Sequence, residues 1–372
     1  MACLCSDRSC EKESPPNIGT SILSEKSPVF YKNPRDFLKK NLNDERVFVC
    51  RFAMRPTFVL TSNNLVKELL SKSGEETYNG LHDFFFGLFG SNILFAEDLE
   101  SKTLREILIP MMQTDTVRNY RNILDELVSQ CITRKLSTHD PVTFYEIFKD
   151  FATRLSLRLF LGLEDSAAEE ISKLATSHWH GIISVPLSVK VPFLMSSSYR
   201  KAVRAKEQIL EIIEKRLEES QSDFLQEARD KCRNSGHISD EVFKNTILVF
   251  VCALIPKALA SLLTSFIDTS GLWYEKFVDE ATGDIESENL SAIFYEVLRL
   301  WPPFFGGLRV AKKDMELGSF HVPEGYGVLY ANYLAHRDPA VFENPEEFIP
   351  ERWVKNGNNV SDKDKIFSFG SG

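Results

Sequence analysis

The feature that most restricts how this chain can fold is a pair of opposite charges on an apolar helix. In "NLSAIFYEVLRLW", Glu296 and Arg299 stand at i and i+3 and share a face bordered by Ile293, Val297 and Leu300. On a wet surface such a pair contributes little. The apolar surround predicts burial instead, and a buried ion pair needs further partners for its remaining donors and acceptors. Arg352, in "NPEEFIPERW", carries a forked guanidinium that suits a bridge to Glu296. Beyond it comes "KIFSFGSG", residues 365–372, where glycines after an aromatic let backbone approach something closely. The helix and the loop that carries Arg352 are thus expected to meet, and what the 365–372 loop approaches is open at this point.

The rest of the chain provides the body for that meeting. Of 372 residues, 43% are hydrophobic and 26% charged, which is the composition of a globular protein with a large core. Helical periodicity predicts helices at "TSNNLVKELLSKS", at "LESKTLREILIPMM" ending near Pro110, over 116–136, over 199–219 with Val203, Leu210, Ile213 and Leu217 inward, and over 245–267, which reads as buried all round. "RVFVCRFAMRPTFVL" alternates as a hairpin with its turn at Arg55-Pro56. "LRVAKKDMELGSFHVPEGYGVLYANYLAH" reads as two or three strands with a turn at 323–325. The expectation is a mainly α fold: a disordered tail over 1–14, then one domain over 15–372 with small sheets at 46–60 and 307–333.

Several function classes drop out. With 53 acidic against 44 basic residues, a net charge of −9 and no basic block, nucleic acid is not an expected partner. The 7 cysteines are scattered and do not form a disulfide framework. Cys3, Cys5 and Cys10 crowd the tail, where a metal site competes with plain disorder. No uncharged run of membrane-spanning length is evident, since Pro256 and Lys257 interrupt the longest apolar stretch, and the N-terminus lacks a signal-peptide pattern.

Taken together, Glu296-x-x-Arg299, "NPEEFIPERW" and Phe369-Gly370-x-Gly372 resemble the C-terminal half of a cytochrome P450. The resemblance extends over about 15–372. "PPFFGGLRVA" matches the family's pocket-wall strand, and "AHRDPAVFENPEEF" its following loop. "SVPLSVKVPFLMSSSYRKAVRAKEQILEII" is most similar to the branch containing retinoic-acid hydroxylases. The resemblance implies the cytochrome P450 fold around haem b (protoheme IX). It implies that Glu296, Arg299 and Arg352 brace the haem loop structurally, and that Arg105 and Arg309 donate to the propionates. Phe369, Gly370 and Gly372 would form the first half of that loop. The family's Arg and its iron-ligating Cys would fall two and four residues beyond Gly372, so no metal ligand is expected within this chain, which is expected to be C-terminally truncated. Ser101 stands where the family usually has Trp or His.

By the same resemblance, the reaction is monooxygenation of a lipophilic substrate (a retinoid, sterol or fatty acid) in lipid metabolism. Electrons would come from NADPH-cytochrome P450 reductase or a ferredoxin. The family's eukaryotic members usually reside at the endoplasmic reticulum membrane; membrane association is compatible with this chain, and no anchor is expected in it. Phe84, Phe85, Phe86 and Phe89 in "GLHDFFFGLFG", with Ala253, Phe304 and Phe305, would line the substrate pocket. The departure lies in the long apolar helix. Aligned on Phe250, Leu254 and Ile255 replace the acid–alcohol pair that relays protons, and neither transfers a proton. That leaves open a reductase-independent hydroperoxide isomerase or lyase, or an inactive fragment. His178 and His180 in "SHWHG" read as structural rather than as a metal pair, and Tyr295 and Trp301 as core.

Overall fold

The computed structural model describes residues 14–96, 98–113, 118, 120–136, 143–183, 197–219, 223–270, 288–354 and 362–370. Helices predominate. In chain order they are α1 (Ser27–Lys32), α2 (Pro34–Lys40), α3 (Asn63–Ser71), α4 (His82–Phe89), α5 (Asp98–Met111), α6 (Arg121–Leu127), α7 (Phe144–Leu161), α8 (Asp165–Ile183), α9 (Ser197–Glu219), α10 (Asp223–Ser235), α11 (Asp240–Val249), α12 (Ile255–Ser270) and α13 (Glu288–Leu300). A full capping box at Thr143 and Glu146 starts α7, and Gly162 in the left-handed region ends it. α5 ends at Met111, one residue past Pro110, as expected. The segment 116–136 is not one helix: its described part is α6, then a π-helical stretch Val128–Thr133, then a last short turn. The inward stripe of α9 is Ala202, Ala205, Ile209, Ile213 and Leu217, so Val203 and Leu210 lie at its edge.

α11 and α12 form one long central helix, joined by a π-helical stretch over Phe250–Leu254. Pro256 has no N–H to offer the carbonyl one turn back, and the widened stretch just before it carries the helix across that gap. Only the first half is buried all round; from Leu254 onward many side chains are half-covered. By length and composition Asp240–Thr269 is apolar enough to cross a membrane, but 61% of its apolar window is buried inside the protein, so here it serves as a core helix.

The strands are β1 (Val47–Phe52), β2 (Arg55–Leu60), β3 (Thr77–Asn79), β4 (Gly306–Ala311), β5 (Met315–Leu317), β6 (Phe320–Val322) and β7 (Gly327–Ala331). The expected hairpin forms, but its turn is Ala53-Met54, with φ of 54° and 64°, and Phe52 pairs with Arg55. Pro56 is inside β2, at its start and before the pairing with β7 begins at Thr57. The two expected sheets are one: a parallel β2–β7 pairing joins them in the order β1-β2-β7-β4-β3, with β5–β6 as a separate ribbon. β4 approaches β7 so closely that a Cβ on Gly306 would lie 1.8 Å from the Tyr330 carbonyl oxygen.

Candidate functional site

The charge pair on α13 is the centre of a closed network. Both side chains are fully buried. Arg299 donates from Nε to Glu296 Oε2 at 2.8 Å and from Nη2 to Oε1 at 2.7 Å. Its other donors reach the carbonyls of His336 at 3.0 Å, Pro345 at 2.6 Å and Glu347 at 2.8 Å. All five guanidinium N–H groups therefore have acceptors. Glu296 additionally accepts from the Ile349 amide at 2.8 Å, Arg352 Nε at 3.2 Å and Trp353 Nε1 at 2.8 Å. The predicted bridge from Arg352 is present. Trp353 is a partner that the sequence reading missed; its only signal was an indole N–H directly after Arg352.

The network extends to the loop at 365–370 through His336. The Phe367 amide donates to His336 Nε2 at 2.8 Å, so the ring's proton sits on Nδ1, which donates to the Arg299 carbonyl at 3.2 Å. Burial drives the His336 pKa down to about 3, opposed by the hydrogen bond to the Arg299 carbonyl and reinforced to a smaller extent by the Arg299 and Arg337 charges. Ser368 Oγ donates to the Leu298 carbonyl at 2.8 Å, Asn332 Nδ2 to the Phe367 carbonyl at 2.8 Å, and Asn63 Nδ2 to the Lys365 carbonyl at 2.9 Å. The loop is thus tied to α13, to the end of β7 and to α3 at once. Gly370 takes a φ of 80°, which its lack of a side chain permits. Phe369 is left 59% exposed, with one edge against Phe304 at 6.2 Å. Gly372 lies outside the described residues, as do Cys3, Cys5 and Cys10.

The two proposed propionate donors sit apart in sequence and in environment. Arg105 is half-buried on α5, with Nε 3.3 Å from Ser101 Oγ, the hydroxyl occupying the position of the usual Trp or His. Arg309 is on β4, between Asn79 of β3 and Val328 of β7. It is close enough to Tyr330 to oppose the rise that burial imposes on that phenol. The Tyr330 hydroxyl lies between Gly307 and Gly370, 2.5 Å and 3.5 Å from where their Cβ atoms would be.

The aromatic residues expected around a pocket divide into separate groups. Phe85 and Phe89 pack with Val249, Ala253, Leu254 and Trp179 against the central helix. Phe84 faces the other way, into a core with Phe30, Tyr333 and Phe305. Phe86 is 45% exposed beside His82. Consecutive helix positions turn by about 100°, so 85 and 89 share a face and 84, 85 and 86 do not. Leu254 joins the Phe85–Phe89 cluster and Ile255 the neighbouring core, leaving an apolar surface where the family's acid and alcohol would be. A separate apolar cleft of about 440 Å³, lined by Leu259, Leu262, Leu263, Phe266, Leu290 and Phe294, opens between α12 and α13. It includes none of the residues expected at a pocket.

Other candidates resolve simply. His178 is buried with Nε2 2.9 Å from the Leu88 carbonyl, and burial lowers its pKa to about 4. His180 is exposed, and no cluster of metal-binding side chains occurs among the described residues. The described cysteines are all buried and unpaired. Burial pushes the Cys50 and Cys252 thiols up to about 12, Cys232 to about 11, and Cys131 upward as well. None supplies a thiolate near neutral pH. The described residues thus supply a fixed glycine loop with an uncovered aromatic ring, and no thiolate among the described cysteines.

In this mainly helical domain a saturated buried charge network, extended through His336, fixes the 365–370 loop and leaves the ring of its own Phe369 uncovered. The sequence model of the cytochrome P450 family matches residues 13–248 and 288–372, and the chain belongs to that family. The unmatched interval contains the π-helical stretch, Leu254 and Ile255. Among individual relatives, cytochrome P450 26B1 of Danio rerio is 24% identical over 380 residues, covering 93% of this chain and 73% of that protein. Taxane 13-alpha-hydroxylase of Taxus cuspidata is 22% identical over 386 residues, covering 94% and 79%. The solved structure of cyanobacterial CYP120A1 with retinoic acid bound superposes with a TM-score of 0.80 at 22% identity, covering 97% of this chain and 87% of that one. The family implies a haem cofactor and small-molecule oxidation.

Proposed function

We propose that the protein is a haem b monooxygenase that hydroxylates a lipophilic substrate of the retinoid, sterol or fatty-acid type. The observation that carries this reading is the completeness of the Glu296–Arg299–His336 network. Most of its donors and acceptors bind the segment from His336 to Trp353 to α13, and His336 carries that frame on to the 365–370 loop through the Phe367 amide. Arg105 and Arg309 would hold the haem propionates, and Phe369 and Gly370 would lie along the porphyrin. When bound through a thiolate, haem supplies activation of dioxygen, with the sulfur favouring O–O cleavage. The chain's own share is to position the loop and to present the apolar Phe85–Phe89–Ala253 surface to the substrate; Leu254 and Ile255 have no proton to transfer. Electrons would come from NADPH-cytochrome P450 reductase or a ferredoxin.

A second reading, reductase-independent use of a hydroperoxide, rests on one observation: apolar Leu254 and Ile255 in place of a proton relay. The two are separated by turnover of the haem-loaded protein. Product formation that requires NADPH and reductase supports the monooxygenase. Rapid conversion of a fatty-acid hydroperoxide without reductase, with no NADPH-dependent product, overturns it in favour of the second reading.

A further inference from the structure

Lys257 is a half-buried cation on the central helix that no carboxylate among the described residues neutralises. It stands one turn after Ala253, so the two share a face of the helix. Ala253 packs with Phe85 and Phe89, and Trp179 of α8 belongs to the same cluster. Lys257 Nζ sits 5.0 Å from the centroid of the Trp179 ring, at the border of that apolar surface. Burial draws its pKa down to about 8, and Lys149 of α7 lowers it further; only the Cys252 thiol acts in the opposite direction. The nearest acid along α7, Asp150, is already engaged by Arg154 and Lys135. Glu146, one turn before Lys149, offsets that cation in part, but it is exposed and bound in the capping box with Thr143. Two like charges kept near one another beside an apolar surface are unfavourable until an anion joins them.

We propose that Lys257 binds the carboxylate of an apolar acid whose chain lies against Phe85, Phe89 and Ala253. The assignment rests on the reading of that cluster as the substrate surface. The cation–π contact with Trp179 stabilises the ammonium in part, and an ammonium carries three N–H donors, more than one ring face can engage.

The test compares dodecanoic acid with dodecan-1-ol, titrated into the full protein at pH 7 and followed by tryptophan fluorescence. Wild type binds both, and the acid more tightly. Lys257→Met lowers acid affinity by about tenfold or more and leaves alcohol affinity unchanged, while Lys257→Arg retains acid binding. In the reductively ¹³C-methylated protein, the Lys257 resonance titrates at higher pH when the acid is added, because a bound carboxylate favours the charged amine. Equal acid affinity in wild type and Lys257→Met overturns the assignment while leaving the apolar surface in place. A parallel fall for acid and alcohol also overturns it, by showing that Lys257 only packs on Trp179. If wild type binds neither ligand, the reading of the surface fails, and the assignment fails with it.

Discussion

Glu296 is the node at which the network succeeds or fails. Removing Arg299 leaves a carboxylate fully buried without its bidentate partner, a loss on the order of 3–5 kcal/mol. Arg299→Ala is therefore expected to lower the urea midpoint of unfolding well below that of wild type; an unchanged midpoint would contradict the network's structural role. Trp353→Phe tests a smaller term, because it keeps an aromatic side chain, though a smaller one, and deletes one donor to a charged acceptor, a loss of about 2 kcal/mol. Its midpoint should fall between those of wild type and Arg299→Ala. At this scale the sequence was legible where chemistry violated its surroundings: two charges on an apolar face announced their burial, and Arg352 announced its partner. It was silent on His336, Asn332 and Ser368, because many polar side chains occupy loops and no spacing marks which ones turn inward. The four phenylalanines near 86 misled for a different reason. Grouping them by composition ignored the helical rotation that separates Phe84 and Phe86 from Phe85 and Phe89.

Among the elements, the helices were read well and their interruptions were not. The π-helical stretch over Phe250–Leu254 leaves no periodic signature, although Pro256 hinted at a local disturbance. The hairpin strands were legible from alternation, but proline drew the expected turn to Arg55-Pro56. The actual turn has two non-glycine residues at positive φ, the geometry of a two-residue type I′ connection. Met54 is 50% exposed and bears that strain without burying its side chain. Met54→Gly is expected to raise stability by about 1 kcal/mol, measured as a higher urea midpoint at unchanged m-value. A drop would mean that Met54 makes a contact worth more than its backbone strain. The union of the two sheets was not legible at all, because the parallel pairing of Thr57 with Gly327 joins segments far apart in the chain, and local alternation does not encode the partner of a strand.

For the whole molecule, two buried histidines set an acid limit on stability. His336 and His178 have pKa values of about 3 and about 4 in the folded protein, against 6.5 ordinarily, because burial disfavours their charged forms. The unfolded chain therefore binds protons that the native state refuses. Their contribution is fully present above pH 6.5 and declines as pH falls from there toward the folded values. Between pH 7 and pH 5 each histidine should remove about 2 kcal/mol of stability. His336→Gln should flatten that part of the profile, and a profile as steep as wild type would show that His336 is not held neutral. The same proton-free ring receives the Phe367 amide, so the acid sensitivity and the anchoring of the loop have one origin.

The central claim is that the Glu296–Arg299 network and His336 hold the 365–370 loop in place for haem. It is tested most directly by haem content and the reduced, carbon-monoxide-bound spectrum of the protein expressed from its complete reading frame. Wild type should take up haem and show the Soret band of thiolate ligation, and Arg299→Ala should lose both. A wild type that takes up no haem, or an Arg299→Ala protein with normal haem content and the same band, would contradict the account.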